Sequence, residues 1–214
     1  MPILNNFVNH LICDYEKQAM LRKVILFDVG GVLLKWKDQW LFDEISKQSK
    51  IPFDRIKDHF NANISELFEG KITEKQFWKK IPGANQIHPK IISKTFHRLS
   101  KPDDQILNLA YSLKKQGFET GILSNITPET RQILPKKWTY EFDHVFFSDQ
   151  IKLSKPDSKI FSYVTERLSN HEIIFIDDKK ENISAAKKHG IYSILFGEYQ
   201  SLKYQIMKKT SIVL

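Results

Sequence analysis

The sequence predicts an α/β fold: a doubly wound parallel sheet with a helical segment inserted after its first strand. Three observations carry that expectation. Short apolar runs rich in Ile, Val and Phe recur along the chain, and four of them stop at polar residues. Amphipathic helical stretches separate them, which is the alternation that builds parallel sheets buried on both faces. Between about positions 35 and 101 the periodicity is helical throughout, with no strand signal to interrupt it.

The first run, Val24 to Phe27, ends at Asp28 and is followed by Gly30 and Gly31. Four amphipathic segments come next: "DQWLFDEISKQ", "FDRIKDHFNANISELFEG", "TEKQFWKKI" and "KIISKTFHRLS". "PDDQILNLAYSLKKQG" then reads as a helix with Pro102 at its start and Gly117 as its stop. The second run, "TGILSN", ends at Ser124 and Asn125, and Thr127 is placed to cap the "PETRQIL" segment. The third, "HVFFSD", precedes Lys155 by a few residues, and "DSKIFSYVTERL" puts Ile160, Phe161, Val164 and Leu168 on one helical face. The fourth, "IIFIDD", ends at Asp177 and Asp178. "ENISAAKKHG" follows it, acidic at its start and basic at its end, as the helix dipole favours. "YSILF" from Tyr192 is a fifth strand. The expected division is a helical extension over 1–22, an α/β core over 23–34 and 102–214, and a helical cap over 35–101.

Composition narrows the function classes. Of 214 residues, 41% are hydrophobic and 27% charged, the balance of a globular protein. No apolar run is long enough to span a bilayer. Asp14 and Glu16 close off the apolar N-terminal stretch, which lacks a basic start, so no secretory signal is expected. Cys13 is the single cysteine, which excludes an internal disulfide and makes a cytoplasmic location the expectation. The seven histidines show no zinc-ligand spacing. Net charge is +8, carried mostly by lysine, with Arg22, Arg55, Arg98, Arg131 and Arg167 the arginines. Base readout and phosphate clamping favour arginine, so the charge reads as a solvated surface, and neither a nucleic-acid nor a membrane partner is expected. The sequence leaves the oligomeric state open.

Each polar strand end has an ordinary structural reading taken singly. Asp28 can cap a turn, Ser124 and Asn125 can open a loop, Lys155 can be surface charge, and Asp177 and Asp178 can cap a helix. Ligands in open α/β sheets bind beyond the carboxyl ends of the strands, which is where all of these residues fall. Three carboxylates gathered there suit a hard cation such as Mg²⁺, and a hydroxyl, an amide and an ammonium suit an anion's oxygens. That combination is the chemistry of phosphoryl transfer, in which a carboxylate can itself attack phosphorus.

In their order and spacing "FDVGGVL", "ILSN", "LSKPD" and "FIDDKKEN" resemble the four motifs of the haloacid dehalogenase-like (HAD) superfamily, over about Val24 to Phe196. The helical insert is similar to the small C1 cap of the subgroup containing β-phosphoglucomutase and many sugar-phosphate phosphatases. The resemblance implies a Rossmannoid core and an Mg²⁺-dependent phosphatase of small phosphorylated metabolites. It implies Asp28 as nucleophile and metal ligand, and Gly30 as a metal ligand through its carbonyl. Ser124, Asn125 and Lys155 would hold the phosphoryl group. Asp178 and Asp177 would bind the metal, with Asn182 steadying them.

One position departs from the family pattern. Most of its phosphatases read Asp-x-Asp, the second Asp protonating the leaving oxygen and then activating water, whereas this chain reads Asp28-Val29-Gly30. A general acid–base group contributes about 10²–10⁴ in rate, or roughly 3–5 kcal/mol of barrier. The resemblance to α-D-glucose-1-phosphate phosphatases with a similar Asp-x-Gly motif implies a sugar phosphate with an easily departing oxygen. The alternative is a phospho-ligand-binding or regulatory protein with feeble turnover. A metal-independent dehalogenase is disfavoured by Asp177 and Asp178, and a mutase by the missing acid. Trp36, Trp40, Phe68 and Phe77 are candidates for the inner face of the cap. Glu66 and Glu69 read as solvent-facing rather than catalytic.

Overall fold

The computed structural model describes residues 21–214, so the helix expected over 1–22 falls almost wholly outside the described residues. β1 (Arg22–Phe27) is central in a five-stranded sheet with β4 (Glu119–Ser124), β5 (His144–Phe147), β6 (His171–Asp177) and β7 (Tyr192–Leu195), in the spatial order β5-β4-β1-β6-β7. Every pairing is parallel. The α/β, doubly wound expectation therefore holds.

Alternation along the strands divides the core into two layers, because successive side chains point to opposite faces. Ile25, Phe27, Ile122, Ile174 and Ile176 pack with Ile106, Leu109 and Leu113 of α5 (Asp104–Lys115) and Leu202 and Ile206 of α11 (Tyr199–Thr210). Val24, Leu26, Leu123 and Phe175 pack with Ile160, Phe161 and Val164 of α9 (Ser158–Arg167) and Ile183 and Ala186 of α10 (Lys180–Lys187).

The segment after β1 forms α1 (Asp38–Ser49), α2 (Phe53–Phe68), α3 (Glu74–Lys79) and α4 (Ile91–Leu99). These helices share their own buried core, centred on Leu41, Ile45, Ile56, Leu67, Phe77 and Trp78. Two short strands, β2 (Leu34–Lys35) and β3 (Lys101–Pro102), pair antiparallel where the chain leaves and re-enters the sheet domain. Two residues carry no readable alternation, so the sequence gives no signal for either strand. Pro102 consequently lies in β3, and Asp103 caps α5 through the Gln105 amide at 3.2 Å. The described residues also form a 3-10 turn (Ala84–Gln86) and the one-turn α-helices α6 (Pro128–Arg131, capped by Thr127 as expected), α7 (Trp138–Glu141) and α8 (Ser148–Ile151). Among the described residues no helix is long and apolar enough to cross a membrane.

Candidate active site

Strand register brings the polar ends together. Phe27 is level with both Ile122 and Ile176, so Asp28 stands beside Asp177 one residue on and near Ser124 two residues on. The Asp28 amide still donates to the Ile176 carbonyl at 2.9 Å, and Asp28 Oδ1 accepts the Val29 amide at 2.7 Å. The chain then doubles back through Leu34 N to Val29 O (2.8 Å) and Gly31 N to Leu34 O (2.8 Å). Gly31 has φ +85°, and a Cβ there would overlap the Asp178 carboxylate. The second glycine of the motif is therefore what lets the first loop and Asp178 approach each other.

Lys155 ties the carboxylates together. Its side chain is 1% exposed, and its Nζ lies 2.6 Å from Asp177 Oδ2, 3.1 Å from Asp28 Oδ1 and 2.8 Å from the Leu123 carbonyl. Burial opposes its charge, but Asp177 and Asp28 outweigh burial and hold the ammonium above its usual range. Asn125 fixes Lys155 by its backbone, its Oδ1 accepting the Lys155 amide (2.8 Å) and its Nδ2 donating to the Lys155 carbonyl (2.7 Å). One amide proton of Asn125 is left over, so the residue is chiefly a positioning group for the lysine. Ser124 is buried against Asp28 and, with Asn125, lines the cavity.

The two fourth-motif aspartates divide their tasks. Asp177 is fully buried and accepts Asn182 Nδ2 at 3.0 Å on both oxygens and the Lys179 amide at 2.8 Å, besides Lys155. Asp178 is the open member. Burial, with Asp28 and Asp177 close by, pushes its carboxyl up to about 7. Burial raises Asp28 as well, Lys155 opposing and Asp177 adding. Carboxylate oxygens of Asp28, Asp177 and Asp178 all lie within 4.8 Å of one another. An oxygen-only set with more negative charge than Lys155 offsets fits a hard divalent cation.

The sequence reading missed Lys179 and Asp38. Lys179 Nζ binds Asp38 Oδ2 at 2.7 Å, and Trp36 Nε1 donates to Asp38 Oδ1 at 3.0 Å, a chain of contacts from the sheet domain to the helical layer. Burial works against the Lys179 charge, but Asp38 raises its pKa overall. A signal was present: basic residues at the N-terminus of α10 run against the helix dipole and ask for a partner. A Cβ on Gly30 would meet Trp36 Cδ1 at 3.4 Å and Phe96 Cε2 at 3.9 Å, so aromatic rings stand beside the position of the absent acid. Glu66 pairs with Lys80 at 2.9 Å and Glu69 accepts Ser154 at 2.9 Å, and neither lines the cavity. Trp36 and Phe68 do line it, whereas Phe77 is buried in the helical core and Trp40 packs edge-on against Trp36.

These groups form one end of a cavity of about 420 Å³ between sheet edge and helical layer. The family model of haloacid dehalogenase-like hydrolases matches residues 25–196. A sesquiterpene phosphatase of Aspergillus oryzae, astK, is 28% identical over 80% of this chain and 88% of its own. Drimenol cyclase drtB of Aspergillus calidoustus is 26% identical over 87% of this chain, which spans only 36% of that protein. A HAD-family enzyme from Bacteroides thetaiotaomicron, solved in complex with magnesium and inorganic phosphate, superposes with a TM-score of 0.65 at 22% identity, covering 85% of this chain and 98% of its own.

Proposed function

Since the chain belongs to the haloacid dehalogenase-like hydrolases, we propose that it is an Mg²⁺-dependent phosphatase of small phosphorylated metabolites, working through an aspartyl-phosphate at Asp28. The observation that carries this reading is the buried Lys155 ammonium bridging Asp28 and Asp177, with Asp178 open beside them.

An Asp28 oxygen attacks phosphorus, and the bond from phosphorus to the ester oxygen breaks. Lys155 stabilises the charge on the transferring group, and Ser124 donates to a phosphoryl oxygen. Asp177, Asn125 and Asn182 keep Lys155 and the acidic pair in register. With Gly30 in place of an acid, the departing oxygen takes its proton from water. A second water then hydrolyses the aspartyl-phosphate, releasing phosphate and restoring Asp28. Asp28, Asp178, the Gly30 carbonyl and, directly or through water, Asp177 would hold Mg²⁺, which when bound supplies Lewis-acid stabilisation of phosphoryl charge. We propose that the helical layer acts as a cap that excludes water and selects the substrate.

The expectation of a sugar phosphate rests on the resemblance of the Asp-x-Gly motif. The sesquiterpene phosphatase relative supports phosphoester hydrolysis and offers an apolar substrate instead. The second reading, a phospho-ligand binder with feeble turnover, is favoured by the ringed space beside Gly30. A panel of sugar, alkyl, isoprenyl and acyl phosphates, assayed with Mg²⁺ and with EDTA, separates the two. Turnover that needs Mg²⁺ and disappears in Asp28→Asn is expected, and rates no higher than that variant's would refute the enzyme.

A further inference from the structure

The walls of the cavity differ sharply between its two ends. Away from Asp28 the lining comes from the helical layer: Leu41 of α1, Phe60, Ile64 and Phe68 of α2, and Ile92 and Phe96 of α4. Positions 60, 64 and 68 recur every four residues, so one face of α2 turns toward the ligand space. Trp36 continues the apolar surface down to Gly30. Few polar groups line this side, and those not already paired are exposed to solvent. Both oxygens of Asp38 are taken by Trp36 and Lys179. Thr127 and Thr130 bond each other at 2.9 Å. Asn61 and Glu181 are exposed.

A sugar ring set against Leu41, Phe60, Ile64, Phe68, Ile92 and Phe96 would bury hydroxyls against side chains that offer no hydrogen bond, and an unpaired buried hydroxyl is costly. A hydrocarbon would lose nothing and gain the transfer of its surface from water. We propose that the substrate is an amphiphilic phosphate monoester, its phosphate at Asp28 and Lys155 and an aliphatic hydrocarbon group against Phe60, Ile64, Phe68 and Phe96. This deepens the phosphatase reading, on which it rests, and replaces the sugar phosphate expected from the sequence.

The test separates binding from turnover. Calorimetric titration of n-alkylphosphonates from ethyl to octyl, with Mg²⁺ present, is expected to show affinity rising about fourfold per methylene, the equivalent of ~0.8 kcal/mol for each buried CH₂. Ile64→Asn on the half-buried face of α2 should shrink that increment, read as the octyl-to-ethyl ratio within the variant. In kinetics, octyl phosphate should exceed glucose 1-phosphate and glucose 6-phosphate in kcat/KM by at least about tenfold. Affinity independent of chain length, no phosphonate binding, or a sugar phosphate preferred to the octyl ester would each overturn the proposal. Chain-length-dependent phosphonate binding with no ester hydrolysed would support the apolar site while refuting the phosphatase.

Discussion

At position 30 the backbone does not require glycine, since it lies outside the left-handed region and a Cβ would make ordinary contact with Trp36 at 3.4 Å. A carboxyl can therefore be introduced there. If the missing proton donor limits the wild type, Gly30→Asp should raise kcat on unactivated alkyl phosphates by about tenfold or more, within the range such groups contribute. Acetyl phosphate, whose leaving group needs little protonation, should gain much less. Equal gains on both would mean that leaving-group protonation is not the slow step. Gly31 behaves oppositely. Its φ is +85° and a Cβ collides with Asp178, so Gly31→Ala should displace that carboxylate and weaken Mg²⁺ affinity about 10–100-fold, as loss of ligand-orienting groups does. Unchanged affinity by calorimetry would show that Asp178 needs no such approach. Asp-Val-Gly-Gly thus holds two glycines with different duties, one tolerating a side chain and one forbidding it.

Between elements, the helical layer depends on a buried carboxyl. Glu74, in the first turn of α3, is fully buried and accepts the Ile92 amide at 2.5 Å, capping α4 where Lys90 supplies no side-chain bond. Its second oxygen makes no well-formed hydrogen bond among the described residues. Burial, outweighing the Ile92 bond, pushes its pKa up to about 8. A raised carboxyl binds more protons folded than unfolded, so the stability Glu74 contributes is fully present below its unfolded value of 4.5 and is lost as pH climbs toward 8. Glu74→Gln should flatten that slope in urea melts between pH 5 and 8, and an unaltered slope would place its source elsewhere. The sequence places Thr73 three residues before Gln76, the spacing of a capping box, and the structure forms that box at the start of α3. It gives no hint that the next residue caps a different helix, because that contact exists only once α3 and α4 pack. The same limit explains what else was legible. Short apolar runs marked β1, β4, β5, β6 and β7, helical periodicity marked all four helices of the layer, and polar residues at or shortly after strand ends pointed to the cluster of Asp28, Ser124, Lys155, Asp177 and Asp178. The two-residue strands β2 and β3 depend on long-range closure, which no local pattern records, and the lysines at the start of α10 ask for a partner without naming Asp38.

Across the whole molecule, charge is unevenly placed. The chain carries a net +8, yet the carboxyl edge of its sheet concentrates three carboxylates within 4.8 Å around one buried ammonium. At the opposite edge Glu119 is itself surrounded, by Arg22 at 2.6 Å and by His144 and His171, so negative charge there is paired by design of the fold. The carboxyl edge lacks that balance. Asp178 is the residue left crowded, and its carboxyl is pushed up to about 7 by burial, with Asp28 and Asp177 adding to the shift. Such crowding costs stability that a bound cation, as proposed, would restore. Mg²⁺ should therefore raise Tm, since a ligand at one hundred times its Kd stabilises by about 2.7 kcal/mol, or roughly 5–10 °C in a chain of this size. Asp178→Asn removes both the repulsion and the ligand. Its metal-free Tm should equal or exceed that of the wild type, while its Mg²⁺-induced shift should largely vanish. A full Mg²⁺ shift in that variant would remove Asp178 from the metal site, and a lower metal-free Tm would mean that its charge is satisfied in the fold rather than held in reserve for a cation.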